Sequence, residues 1–171
     1  MSYRNKTYVA FASEDILQYR LMEAWKANQN IDFNFFDAHD LFISRDTSKP
    51  KTIKNNLTER LKNAKQVVLL GSAVGKRKGS DGNSFLAHEI ELIIELGLPI
   101  VVANLDGDRK INKNYIPYPL IEKDYYTMSV SFQPKMIKYA LNNYASGFSS
   151  SPKEKKGNYY YLESVYTELK L

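Results

Sequence analysis

Apolar residues along this chain follow two rhythms. Thr7-Tyr8-Val9-Ala10-Phe11-Ala12 is a β-rich run that stops at Ser13-Glu14-Asp15, after which Leu17, Leu21, Ala24 and Trp25 recur at helical spacing. The pattern predicts a strand, a tight turn, and a helix that Ser13 can cap, with those four residues on one face. A second strand fits Phe33-Asn34-Phe35-Phe36, followed by a polar stretch over residues 37–51 that includes Asp40, Arg45, Asp46 and Pro50. Ile53, Leu57, Leu61 and Ala64 then mark a helix, and Gln66-Val67-Val68-Leu69-Leu70 is an unbroken apolar run, as expected of a strand covered on both faces.

The second half continues the alternation. A loop over residues 71–83 precedes the helical run Ser84-Phe85-Leu86-Ala87-His88-Glu89-Ile90-Glu91-Leu92-Ile93-Ile94-Glu95-Leu96, which Gly97 ends, and Leu98-Pro99-Ile100-Val101-Val102-Ala103 reads as another buried strand. Residues 106–126 look irregular, Met128-Ser129-Val130-Ser131-Phe132 suits a last strand, and Pro134 suits the first turn of a helix with Met136, Ile137, Ala140, Leu141 and Tyr144. The order β-α-β-α-β-α-β predicts an α/β fold: an open parallel sheet with helices on both faces. One domain over residues 1–145 is expected, then a flexible Gly/Ser/Lys linker over 146–158. The last segment, 159–171, carries Leu162, Val165, Tyr166 and Leu169 and is expected to dock on its own domain or on a second subunit.

One residue breaks the helical pattern. In the run from Ser84, the residues Phe85, Leu86, Glu89, Ile90, Leu92, Ile93 and Leu96 share a face, while His88, Glu91 and Glu95 share the other. Glu89 therefore lies in the apolar stripe. A carboxylate there needs a partner, a cleft edge or a shifted pKa, which makes the position a site candidate.

Composition narrows the chemistry. With 171 residues the chain is long enough for one well-packed core, and no apolar run approaches the roughly 20 residues a membrane span requires. There is no cysteine, which excludes disulfides, thiolate zinc sites and a cysteine nucleophile. Met1-Ser2-Tyr3-Arg4-Asn5-Lys6 shows no apolar signal segment, so a cytoplasmic location is expected. The net charge of +5 is spread along the chain, and Lys76-Arg77-Lys78 reads as solvated loop charge, so no membrane and no specific nucleic-acid partner is expected.

Familiar catalytic motifs are absent. Gly71-Ser72-Ala73-Val74-Gly75-Lys76-Arg77 has one residue too few for a phosphate-binding Walker loop and lacks its Ser or Thr. No GxGxxG follows the first strand, and there is no GxSxG elbow. His39 and His88 have no second histidine at ligand spacing, so no metal site is expected.

In an open parallel sheet the ligand crevice forms at the carboxyl ends of the strands, which here gathers Phe11-Ala12-Ser13-Glu14-Asp15, Leu69-Leu70-Gly71-Ser72 and the early turns of the helix bearing Glu89. These segments, with Phe85-Leu86-Ala87-His88-Glu89-Ile90 and Gly97-Leu98-Pro99-Ile100, resemble the bacterial TIR-like family of Thoeris ThsB over roughly residues 6 to 105. The resemblance implies a flavodoxin-like fold and cleavage of NAD, as substrate rather than cofactor, at the nicotinamide–ribose bond. It further implies a cyclic or modified ADP-ribose product sensed by a separate nucleotide-sensing effector in antiphage defence, under a phage-derived trigger.

Within that resemblance Glu89 takes the place of the family's catalytic glutamate, and Phe85 stands where the family has tryptophan. Phe11, Ser13, Ser72 and Phe85 are candidates for substrate binding, with His88 and Asp46 as secondary candidates. Residues 38–51 correspond to a loop that shapes the pocket and self-association, so a homo-oligomer is also allowed. Two other functions compete: a non-catalytic TIR-like interaction module, and an enzyme like the nucleoside deoxyribosyltransferases, which use a related sheet and a glutamate nucleophile.

Overall fold

The computed structural model describes residues 5–33, 36–37, 50–151 and 154–171, with the backbone alone described for residues 36–37. Asp46, His39 and most of the polar stretch after the second strand lie outside them.

Lys6–Ala10 forms β1, and its alternating side chains decide which layer each residue joins. Tyr8, Ala10 and Ala12 enter one core, with Ile53, Leu57 and Leu61 from α2 (Pro50–Asn63) and Leu86, Ile90 and Ile93 from α4 (Phe85–Leu96). Val9 and Phe11 enter the other, against α1 (Ile16–Ala27) and α6 (Pro134–Ala140). The remaining strands are β2 (Phe36–Asp37), β3 (Gln66–Gly71), β4 (Ile100–Asn104), β5 (Thr127–Ser131) and β6 (Asn158–Tyr160). Among the described residues they form one parallel sheet in the order β2-β1-β3-β4-β5-β6. The fold is the expected flavodoxin-like α/β sheet, and it reverses direction of winding between β1 and β3.

Several local expectations need correction. The first helix begins only after a tight turn, Ser13–Asp15, and Ser13 makes no cap hydrogen bond. Its buried face is Tyr19 and Met22, with Trp25 half-buried, whereas Leu17 and Leu21 are 70% and 45% exposed. The expected face is rotated: Trp25 keeps its place, packed against Phe33 and Phe132, but Tyr19, stacked on Phe11 with centroids 4.8 Å apart, and Met22 turn inward in place of Leu17 and Leu21.

Of the expected second strand, Phe36 is in β2, which continues to Asp37, Phe33 is buried in the core ahead of it, and residues 34–35 lie outside the described residues. Pro50 belongs to the first turn of α2, where its missing N–H costs nothing.

The stretch 71–83 is not a plain loop: Ala73–Gly79 is a short helix, α3. Its two glycines hide it in the sequence, yet both are buried, and a Cβ on Gly79 would come within 2.8 Å of Pro117. Lys76, Arg77 and Lys78 occupy its last turn, where positive charge complements the helix dipole, rather than a solvated loop. The stretch 106–126 likewise contains a short helix, α5 (Tyr118–Glu122).

The tail is part of the sheet. β6 pairs with β5, and α7 (Glu163–Glu168) brings Tyr166 into the core, where its hydroxyl accepts a hydrogen bond from the Ser131 N–H at 3.0 Å. Ahead of β6, Phe148 stacks on Tyr126 with centroids 5.8 Å apart. Among the described residues no helix is long and apolar enough to cross a membrane.

Candidate active site

The site is built on α4. Ser84 caps it by accepting from the Ala87 N–H at 3.1 Å, and Gly97 closes it in the left-handed conformation at φ 65°. Between those ends Leu86, Glu89, Ile90 and Ile93 turn to the sheet and are buried. Glu89 is 4% exposed, and its hydrogen bond comes from across the layer: the Tyr8 O–H, on β1, donates to Oε1 at 2.5 Å.

Two forces act on this carboxyl in opposite senses. Burial penalises the charged form and raises the pKa, while the Tyr8 hydrogen bond favours the charged form and lowers it. Burial wins, and the pKa rises from 4.5 to about 8. Burial thus shifts Glu89 toward the neutral acid.

The other candidates fall into different places. Phe85 is 38% exposed at the start of α4, one turn before Glu89, so it forms the outer wall of the same helix face. His88 turns away: its Nε2 lies 3.2 Å from Thr58 Oγ1 on α2 and is engaged in a helix–helix contact. Phe11 lies on the opposite face of the sheet, stacked on Tyr19.

Ser72 and Ser13 gather at the ends of β1 and β3, where the sheet reverses its winding. The Ser72 hydroxyl accepts from the Gly75 N–H at 2.9 Å and donates to Asp15 Oδ2 at 2.5 Å, so it serves as helix cap and crevice bridge together. Asp15 is raised above its usual carboxyl range mainly by burial, with the Ser72 bond opposing. Lys78 completes the cluster: it pairs with Glu14 at 2.8 Å and donates to Ser13 Oγ at 3.2 Å.

The structure thus joins Ser13 to Ser72 through the Glu14–Asp15 turn and Lys78. Among the described residues it joins neither of them to Glu89 by a hydrogen bond. Cavities of about 520 Å³, beside Lys135, Lys138 and Leu171, and about 310 Å³, beside Lys65, Leu96 and Phe148, do not border Glu89 either.

Three participants carry little signal in the sequence. Tyr8 reads as an ordinary strand aromatic, although its inward position and phenolic O–H offer the donor that a buried glutamate requires. Asp15 belongs to a turn motif that gives it no role, and Lys78 lies in a stretch whose glycines read as loop.

The fold is an open parallel sheet that reverses at β1 and β3, and among the described residues Glu89 of α4, the second helix after β3, is the one buried acid. Residues 8–110 match the family model described as Thoeris protein ThsB, TIR-like domain, and the chain belongs to that family. It is a TIR-like protein of Thoeris defence. A comparison with curated proteins finds no match.

Proposed function

We propose that this protein cleaves NAD at the bond between nicotinamide and ribose, with Glu89 as the catalytic carboxyl. The observation that supports this most is the burial of Glu89 in an apolar layer of a TIR-like domain, with an oriented hydrogen bond from Tyr8 and a pKa raised to about 8. When the C1′–N1 bond breaks, its electron pair stays with nicotinamide and the ribose becomes oxocarbenium-like. An ionised Glu89 beside that centre would stabilise the developing charge. The cation is then trapped either by water, which loses a proton, or by a nucleophile within the same ADP-ribose, which closes a ring.

The pyridinium charge of bound NAD favours ionisation of Glu89, so substrate binding itself lowers the pKa that burial raised. Phe85 would shield the reacting bond from water. Ser13 and Ser72 contribute polar edges at the β1–β3 crevice, and the product would act as a diffusible signal for a separate nucleotide-sensing effector once a phage-derived trigger is present. Incubation of the purified chain with NAD, with free nicotinamide as readout, tests the reading. Nicotinamide released by wild type and not by a folded Glu89→Gln variant is the expected result, and release undiminished in that variant would sink it.

One observation favours a second reading, the non-catalytic interaction module: Glu89 is nearly inaccessible and its hydrogen bond to Tyr8 is sufficient reason for its place in the core. In that case neither wild type nor variant releases nicotinamide, even with phage lysate added, and Glu89→Gln changes stability alone.

A further inference from the structure

Tyr8 and Glu89 are 81 positions apart in sequence and meet in the middle of the α2/α4 layer. Tyr8 is fully buried, in the core that its strand shares with the apolar residues of α2 and α4. Its phenol therefore reaches Glu89 from a rigid strand rather than from a loop. A hydrogen bond of 2.5 Å leaves the carboxyl little freedom about its terminal torsion. Among the described residues Oε2 makes no hydrogen bond.

We propose that Tyr8 is the positioning residue of this site: its phenol fixes Oε1 of Glu89 and leaves Oε2 to face the ribose of the substrate. The proposal rests on the NAD-cleaving reading of Glu89. A carboxyl aimed by a buried donor loses less entropy on meeting the transition state than one free to rotate, so the contribution belongs to the reaction step more than to binding. The same bond favours the ionised form of Glu89 and holds its titration below where burial alone would put it.

No described charge competes for this role. α2 contributes Ile53 and Leu57 to the layer, His88 beside Glu89 is engaged with Thr58, and Glu91 and Glu95 are on the exposed side of α4. Tyr8 and burial are the causes acting on Glu89.

The test is Tyr8→Phe in the full-length chain, which keeps the ring and removes one oxygen. Nicotinamide release from NAD should show kcat reduced about tenfold to a hundredfold, with KM within about twofold. The ascending midpoint of kcat/KM against pH should move up by about one unit. Independently of activity, carbon NMR of the glutamate carboxyls should show the Glu89 titration midpoint rising in Tyr8→Phe. A folded Tyr8→Phe with both the kcat and the Glu89 midpoint of wild type overturns the proposal. If wild type releases no nicotinamide while the midpoint still rises, the NAD reading falls and the hold of Tyr8 on Glu89 stands. Should Tyr8→Phe fail to fold, the Tyr8 hydroxyl proton of the wild-type chain decides: a downfield, exchange-protected resonance that moves upfield in Glu89→Gln is expected, and its absence overturns the pairing.

Discussion

Burial shifts the Glu89 carboxyl toward its uncharged form, and the sign of that effect is measurable. Its folded pKa, about 8, lies above the unfolded value of 4.5, so the native chain holds this proton more tightly than the unfolded one. The stability it contributes is fully present below pH 4.5, declines as pH rises toward 8, and is flat above. Urea denaturation at several pH values should therefore show wild type losing on the order of a few kcal/mol across that window. Glu89→Gln should lack that slope and should stay folded, because the amide oxygen can still accept from Tyr8. Phe85 calls for a smaller figure. At 38% exposure its truncation to Ala should cost about 1–2 kcal/mol, below the about 3–5 of a fully buried ring. Phe85→Trp should retain nicotinamide release, and a folded but inactive Trp variant would argue against its equivalence to the family's tryptophan.

Among the elements, α3 depends most on a single side chain. It is only seven residues long, and Ser72 both caps it and ties it to Asp15 across the β1–β3 crevice. Ser72→Ala should cost about 1–2 kcal/mol by thermal or chemical melting, since it removes the cap and deprives a partly buried carboxyl of its donor. A cost near zero would show that water replaces the hydroxyl and that the bridge is incidental. Gly75 packs closely in the same place: a Cβ there would lie 3.1 Å from Leu70 O and Ser72 Oγ, so a larger residue requires one of these neighbours to shift by a few tenths of an ångström.

At the scale of the whole molecule, the tail closes the sheet. Arg109 stacks over Tyr166 with its guanidinium 4.6 Å from the ring centroid and pairs with Glu163, while Tyr166 satisfies the Ser131 N–H. Deleting residues 149–171 uncovers β5 and part of the adjacent core, and a large drop in melting temperature is expected. Tyr166→Phe is the finer probe: it leaves the Ser131 N–H buried and unpartnered, at a cost of about 1–3 kcal/mol. If nicotinamide release survives Tyr166→Phe at a temperature where the chain is folded, the tail supports the fold without entering the chemistry.

The sequence by itself determined the alternation of strands and helices, the parallel sheet, the α4 face and its odd acid. These properties rest on local periodicity, which one strand or helix expresses without its neighbours. Ser84 and Gly97 mark the ends of α4 for the same reason, since a cap acts within its own turn. Only the tertiary structure decided which side of α1 faces inward, because Tyr19 packs on another element, against Phe11 just past the end of β1. It alone decided that Tyr8 meets Glu89, that Phe11 lies on the other side of the sheet, and that Ser72 bonds Asp15 rather than standing free. Each of these is a contact between elements. Its energy depends on distances set by strand order and layer packing, and periodicity along one element carries no record of them.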